Sequence, residues 1–193
     1  MRGIDKFELI TEFTCGSDKR AEIAAMQLAA AGSHSLVTLR EFLRDQDVDI
    51  RWWATRTLAE IHTPESTPLL LQALQDPEPE VQQCAAIGLR CQPDSNATPQ
   101  LIQALSATDR LLARLAGDAL IAFGEDAVPA LIEVVENNHQ PARLEAVRAL
   151  SAIGDTRAIP VLIKILDEDS AIMEHWAGQG LEKMGVGMVF FNP

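Results

Sequence analysis

With 193 residues, 47% of them hydrophobic, the chain is long enough to bury a substantial core, and the lack of tyrosine, the 5% aromatic content and the recurring alanine and leucine favour close-packed helices over strands. The formal net charge of −12 argues against a nucleic-acid partner, because phosphate binding is driven by basic side chains that release counterions. The three cysteines, Cys15, Cys84 and Cys91, make no CxxC pair and no disulfide framework, the start of the chain carries no secretory pattern, and no segment reaches bilayer-spanning length. A cytoplasmic protein with no membrane contact is expected.

In chain order, Ile4, Phe7, Ile10 and Phe13 recur at helical spacing and predict a lone capping helix within residues 1–17. A repeat follows. Leu28, Leu58, Leu89, Leu120, Leu150 and Leu181 are spaced by 30, 31, 31, 30 and 31 residues, and four residues before each stands Ala24, Ala54, Ala85, Ala116, Ala146 or Ala177. Residues i and i+4 share a helix face, so each pair sets a small side chain beside a large one and lets a neighbouring helix approach closely. Three residues after the leucine the sequence is again apolar, at Ala31, Ile61, Phe123, Ile153 and Met184, with Gln92 as the exception. One residue later come Gly32, His62, Pro93, Gly124, Gly154 and Gly185, where the helix must stop. Pro68, Pro99, Pro129 and Pro160 then mark the first turn of a second helix, the place where a missing N–H costs least.

Full helix pairs are predicted near residues 18–47, 48–78, 79–108, 109–139 and 140–169, followed by a last unpaired helix at 170–184 and an apolar tail at 185–193. One pair cannot cover both of its faces, so the units must stack. The fold expected is all-α: a right-handed α-solenoid superhelix of about five tandem two-helix repeats with terminal capping helices, forming one domain over 1–193.

The period, with the cores Ala-Val-Arg-Ala-Leu-Ser-Ala-Ile-Gly-Asp at 146–155 and Ala-Ile-Pro-Val-Leu-Ile at 158–163, resembles the short bacterial HEAT-like repeats first recognised in phycobilin lyase subunits. The resemblance covers about residues 18–185 and implies the fold more strongly than any one function, since the family includes scaffolds, lyase subunits, a metal-dependent hydroxylase and DNA-repair relatives. In the hydroxylase relatives, which act on deoxyhypusine, His-Glu dyads on the first helices gather two irons. At those positions this chain has Trp52-Trp53, Gln83-Cys84, Arg114-Leu115, Leu144-Glu145 and His175-Trp176, so that iron site is not expected. Relatives that are alkylpurine glycosylases hold DNA on a basic surface, which the acidity here opposes.

No catalytic residue, cofactor or metal site is expected from the residues themselves. His34, His62, His139 and His175 lie apart with no ligand spacing, and Cys84 falls in a slot filled elsewhere by Ile23, Trp53 and Leu115, which reads as core. Neither a phosphate-binding loop nor a nucleophile elbow is present.

The polar faces of the second helices align into two rows, Glu41, Gln72, Gln103, Glu133, Lys164 and Arg44, Gln75, Ser106, Glu136, Asp167. In a resembling solenoid these rows line the concave side, the usual binding surface. Trp52 takes a mostly polar slot and is a candidate interface anchor, whereas Trp53 and Trp176 share a largely apolar slot and are expected in the core. Phe190 and Phe191, in the tail, either cap the last repeat or dock into a partner or a second copy of the chain. The function expected on these grounds is a non-catalytic scaffold or adaptor binding a protein on the concave face, not an enzyme. The alternative is a subunit of a phycobilin-lyase-like or hydroxylase-like enzyme.

Overall fold

The computed structural model describes residues 6–137, 142–167 and 170–186. The chain divides into two compact units, Met1–Gln92 and Pro93–Pro193, and the described residues of both are helical, with no strand among them.

In the first unit α1 (Lys6–Thr14) precedes the pairs α2 (Asp18–Ala30) with α3 (Leu36–Phe42) and α4 (Val48–Glu60) with α5 (Thr67–Ala73), and α6 (Pro79–Cys91) closes it. The first helices α2, α4 and α6 lie side by side, and α3 and α5 pack beneath them. The second unit repeats the arrangement: α7 (Thr98–Ala104), α8 (Arg110–Phe123), α9 (Val128–Asn137), α10 (Ala142–Ile153), α11 (Ile159–Ile165) and α12 (Ala171–Lys183), with α8, α10 and α12 adjacent. The second helices are the short ones, and 3₁₀ turns such as Ser95–Ala97 and Thr156–Ala158 lead into them.

The alanine and leucine ladder forms the core. Every member, from Ala24 and Leu28 to Ala177 and Leu181, is buried, and Leu58, Leu89, Leu120 and Leu150 are fully enclosed. Helix starts follow the polar residues ahead of them: the Asp47 carboxylate accepts from Asp49 N at 2.9 Å, and Asp109 accepts from Leu111 N at 2.7 Å and Leu112 N at 3.0 Å. The expected glycines at 32, 124, 154 and 185 all take positive φ, while before His62 and Pro93 the chain leaves the preceding helix through Ile61, which is extended, and Gln92, at φ −131° and ψ 70°.

Gln92 has a structural reason to depart from its apolar slot. Its amide Nε2 donates to Leu58 O at 3.1 Å and Ala59 O at 3.2 Å, reaching the carbonyl end of α4 one repeat earlier, and its Oε1 lies 2.6 Å from the Ser66 hydroxyl. A side chain thus supplies what a glycine turn supplies elsewhere, a partner for helix-terminal carbonyls.

Two buried arginines tie neighbouring repeats. Arg51 donates from Nε and Nη2 to the two Asp76 oxygens at 2.8 and 3.1 Å, with the side chains only 11% and 6% exposed. Arg148 bridges Asp118 (2.8 Å) and Glu145 (2.7 Å) and donates to Arg114 O. It fits because Gly117 has no Cβ, which would lie 2.7 Å from the Arg148 Nη2. Paired and hydrogen-bonded, such charges fix register more than they add stability.

The first helix departs from expectation in its buried face. Leu9 and Phe13 are buried and Phe7 is 77% exposed, so the face is set by an i, i+4 pair rather than by the run Ile4, Phe7, Ile10, Phe13. Ile4 lies outside the described residues.

Candidate functional site

Three grooves carry most of the chemistry visible on the surface. The first lies between α2 and α4. Trp53 stacks face to face on Phe13 with ring centres 6.0 Å apart and planes 11° from parallel, Phe13 meets Phe42 edge-on at 5.9 Å, and Trp52 meets Trp53 edge-on at 4.9 Å. The rings border a cleft of about 450 Å³ whose polar rim is Asp18, Glu22, Asp49 and Arg56. A neighbouring hollow of about 420 Å³ lies against Trp53 and is floored by Ala25, Ala29 and Ala30, beside the exposed Met26. Arg56 is ion-paired to Glu60. The hydrogen bond that Arg56 donates to Glu60 leads in raising its pKa, and the nearby Glu22 adds to the effect, so the guanidinium stays charged.

The second groove, of about 540 Å³, lies between α10 and α12 and is lined by Ser151, Ala152, Trp176, Gln179, Glu182 and Lys183. The helices approach closely where Gly180 faces Ser151, since a Cβ there would stand 2.8 Å from Ser151 Cα. Trp176 and Lys183 flank this point on α12. The Lys183 stem lies over Gly154 and its ammonium donates to Ala152 O, while His175 meets Trp176 edge-on at 5.4 Å.

The third groove, of about 370 Å³, lies between α7 and α9 and includes Thr98, Ile102, Glu133 and Asn137. Its Thr98 hydroxyl is buried without a hydrogen-bond partner.

Of the residues singled out from sequence, Glu41, Arg44 and Gln75 are exposed and Gln72 is half-buried in the first unit; Gln103, Ser106, Glu133, Glu136, Lys164 and Asp167 are exposed in the second. Lys164 approaches Glu136 at 3.5 Å, which links the two rows, and Glu133 borders the α7–α9 groove. Trp52 is half-exposed. Trp53 and Trp176, expected in the core, are half-buried groove walls, because their slot faces the seam between consecutive first helices and the residues across it, such as Ala25 and Ala29, are too small to cover an indole. Phe190 and Phe191 lie outside the described residues, as does His139. Sequence reading passed over Arg56 and Lys183, whose signal was their spacing from a tryptophan: three residues after Trp53 and seven after Trp176.

Among the described residues no cluster of His, Cys, Asp and Glu could hold a metal ion. Burial pushes the Cys84 thiol up to about 12, with Arg56 opposing weakly, so it stays protonated and packs as a small apolar side chain. No helix among the described residues is long and apolar enough to cross a membrane.

A ladder of paired helices with buried alanine and leucine, grooved along the seams of its first helices, is an α-helical repeat protein. Residues 9–94 and 98–182 match the HEAT-repeat family, and the chain belongs to it. It is 36% identical over 108 residues to a phycocyanobilin lyase subunit beta of Pseudanabaena tenuis and 37% identical over 78 residues to the subunit of that name from Nostoc. These matches cover 56% and 40% of this chain but only 34% and 39% of the relatives' lengths. Among solved structures, an archaeal HEAT-like repeats protein from Thermococcus onnurineus aligns with a TM-score of 0.65 at 17% identity, covering 95% of this chain and 82% of that one. A complex of CpcE and CpcF of phycocyanin lyase from Nostoc aligns with a TM-score of 0.55 at 22% identity, covering 96% and 79%.

These relatives correct the functional expectation. A non-catalytic scaffold, not an enzyme, was the reading drawn from the lack of catalytic motifs; the named sequence relatives are lyase subunits, which was the alternative. The lack of nucleophile, base and metal-ligand motifs does not separate the two readings, because a subunit of an enzyme need carry none of them.

Proposed function

We propose that this chain is a subunit of a phycocyanobilin-lyase-type enzyme, working in the cytoplasm with a protein partner and taking an open-chain tetrapyrrole as substrate. The observation that carries the reading is the 36% identity over 108 residues to a phycocyanobilin lyase subunit. The α10–α12 groove supports it. Its volume of about 540 Å³ lies within the ~300–1,000 Å³ common for small-molecule sites. The Trp176 indole offers a π surface to a flat conjugated ligand, and the Lys183 ammonium offers a counter-charge to a bilin propionate. In this reading the second-helix residues of each unit, Glu41, Arg44, Gln72 and Gln75 in the first and Gln103, Ser106, Glu133, Glu136, Lys164 and Asp167 in the second, face the protein partner.

The test is a titration of phycocyanobilin into the Trp52→Phe, Trp53→Phe variant, which leaves Trp176 as the sole tryptophan. Saturable change in the bilin absorption band with quenching of Trp176 emission is expected, and Lys183→Ala should weaken binding by about fivefold, the worth of a partly exposed ion pair. A chain that takes up no bilin saturably would overturn the proposal.

A further inference from the structure

The α2–α4 cleft differs from the α10–α12 groove in charge. Asp18, Glu22 and Asp49 reach its rim from two helices and make no ion pair among the described residues, while the Arg56 guanidinium, which Glu22 also attracts, is paired to Glu60 in the neighbouring hollow. The rim of the cleft itself carries three carboxylates and one guanidinium. Asp18 and Asp49 sit in the first turns of α2 and α4. Beside them stands Trp52, half-buried like Trp53 and held edge-on by it, with Trp53 itself fixed against Phe13. Asp49 precedes Trp52 by three residues and Trp53 by four, so carboxylate and indoles share one face of α4.

We infer that this cleft is a docking socket for an arginine side chain presented by a protein partner. A guanidinium is flat, permanently charged and weakly hydrated. It can lie against the face of an indole while its N–H fork reaches carboxylates on either side. The cleft provides both: a rigid, partly exposed aromatic wall and unpaired carboxylates from α2 and α4. The same charges oppose a bilin, whose two propionates would meet a net-negative rim, and this separates the socket from the proposed bilin groove on α10 and α12. The inference does not depend on the bilin reading, because it needs only a protein partner.

The experiment follows the three indole N–H signals of the full chain by ¹H–¹⁵N NMR during titration with acetyl-Gly-Arg-Gly-amide, and with the same peptide carrying neutral, isosteric citrulline. The arginine peptide should shift the Trp52 and Trp53 signals saturably, with a Kd on the order of 1 mM, and leave Trp176 in place. Glu22→Gln with Asp49→Asn should weaken binding about tenfold, whereas Glu65→Gln with Glu80→Gln, which removes the same charge from exposed sites in the same unit, should change it by less than about twofold. Trp52→Phe should retain part of the affinity and Trp52→Ala lose about fivefold, with unchanged far-UV circular dichroism in both. The socket is overturned if citrulline binds as well as arginine, if Trp176 responds equally, if the Glu65 and Glu80 variant loses as much affinity, or if phycocyanobilin rather than the peptide moves the Trp52 and Trp53 signals.

Discussion

Replacing Gln92 with methionine puts an apolar residue of similar length into the slot that holds Ile61, Phe123 and Ile153 in other repeats. A consensus argument expects this change to stabilise the protein. The structure predicts the opposite. Gln92 Nε2 is the side-chain donor to Ala59 O, while Leu58 O also receives the Ile61 N–H at 3.1 Å and so keeps a partner after substitution. Leu58 and Ala59 are both buried, so water does not readily replace the lost amide. An orphaned buried carbonyl costs about 1–3 kcal/mol, and the second bond to Leu58 O adds about 0.5–1 kcal/mol. Against this, the half-buried methionine recovers about 1 kcal/mol of transfer energy. The net expectation is a loss of about 0.5–3 kcal/mol, and Gln92→Ala, which forgoes the packing as well, should lose about 1.5–4 kcal/mol. Urea unfolding followed by circular dichroism and by tryptophan emission measures it, with matching midpoints as the check that one transition is being fitted. If Gln92→Met is neutral or stabilising, the capping role assigned to Gln92 is wrong.

Leu120→Ala, at a fully enclosed rung of the ladder, should cost about 2–5 kcal/mol in the same assay, and a loss under about 0.5 kcal/mol would contradict the register. Two glycines of α12 make a matched pair: Gly180→Ala forces a Cβ to 2.8 Å from Ser151 Cα and should destabilise by about 1–3 kcal/mol, whereas Gly178→Ala meets nothing within 4 Å and should stabilise by up to about 1 kcal/mol. Asp155 accepts from the Arg157 side chain and backbone N–H, which draw its carboxyl from the ordinary 3.8 down to about 2. Because the folded value is the lower one, this group's contribution to stability is complete above 3.8 and is lost as pH falls through about 2. Carboxyl ¹³C titration should place Asp155 near that value, and Arg157→Ala should return it toward the ordinary range.

The repeat was legible because one slot recurs with one physical demand. A rung such as Ala116 and Leu120 meets the same neighbours in every unit, so its burial can be read from spacing alone. The first helix had no second copy to compare with. Phe7 and Phe13 both fit a helical stripe, and only the position of α1 against α2 and α4 decides that Leu9 joins Phe13 inside while Phe7 faces out. Trp53 misled for a related reason. Its slot is largely apolar in other repeats, but how much of an indole is covered depends on the residues across the seam, and Ala25 and Ala29 reach too short a distance from α2. Arg56 and Lys183 offered no more than their spacing from a tryptophan, since their grooves exist only once two helices are laid side by side.

That dependence on the neighbour explains how one fold can host different chemistry without changing its core. The second residue of the dyad slot is Trp53 on α4, Cys84 on α6, Leu115 on α8, Glu145 on α10 and Trp176 on α12. On α6 the slot is closed, and burial holds the Cys84 thiol protonated. At Glu145 it is consumed by the ion pair to Arg148, which needs Gly117 opposite to make room. Where a large ring faces small residues or a close helix approach, at Trp53 and at Trp176, the slot opens into a groove. The rungs beneath remain alanine and leucine throughout, so substitution at the slot alters surface chemistry while the packing that specifies the fold is left intact. The charges beside the rings differ as well: Asp18, Glu22, Asp49 and Arg56 border the cleft at Trp52 and Trp53, whereas Glu182 and Lys183 line the groove at Trp176.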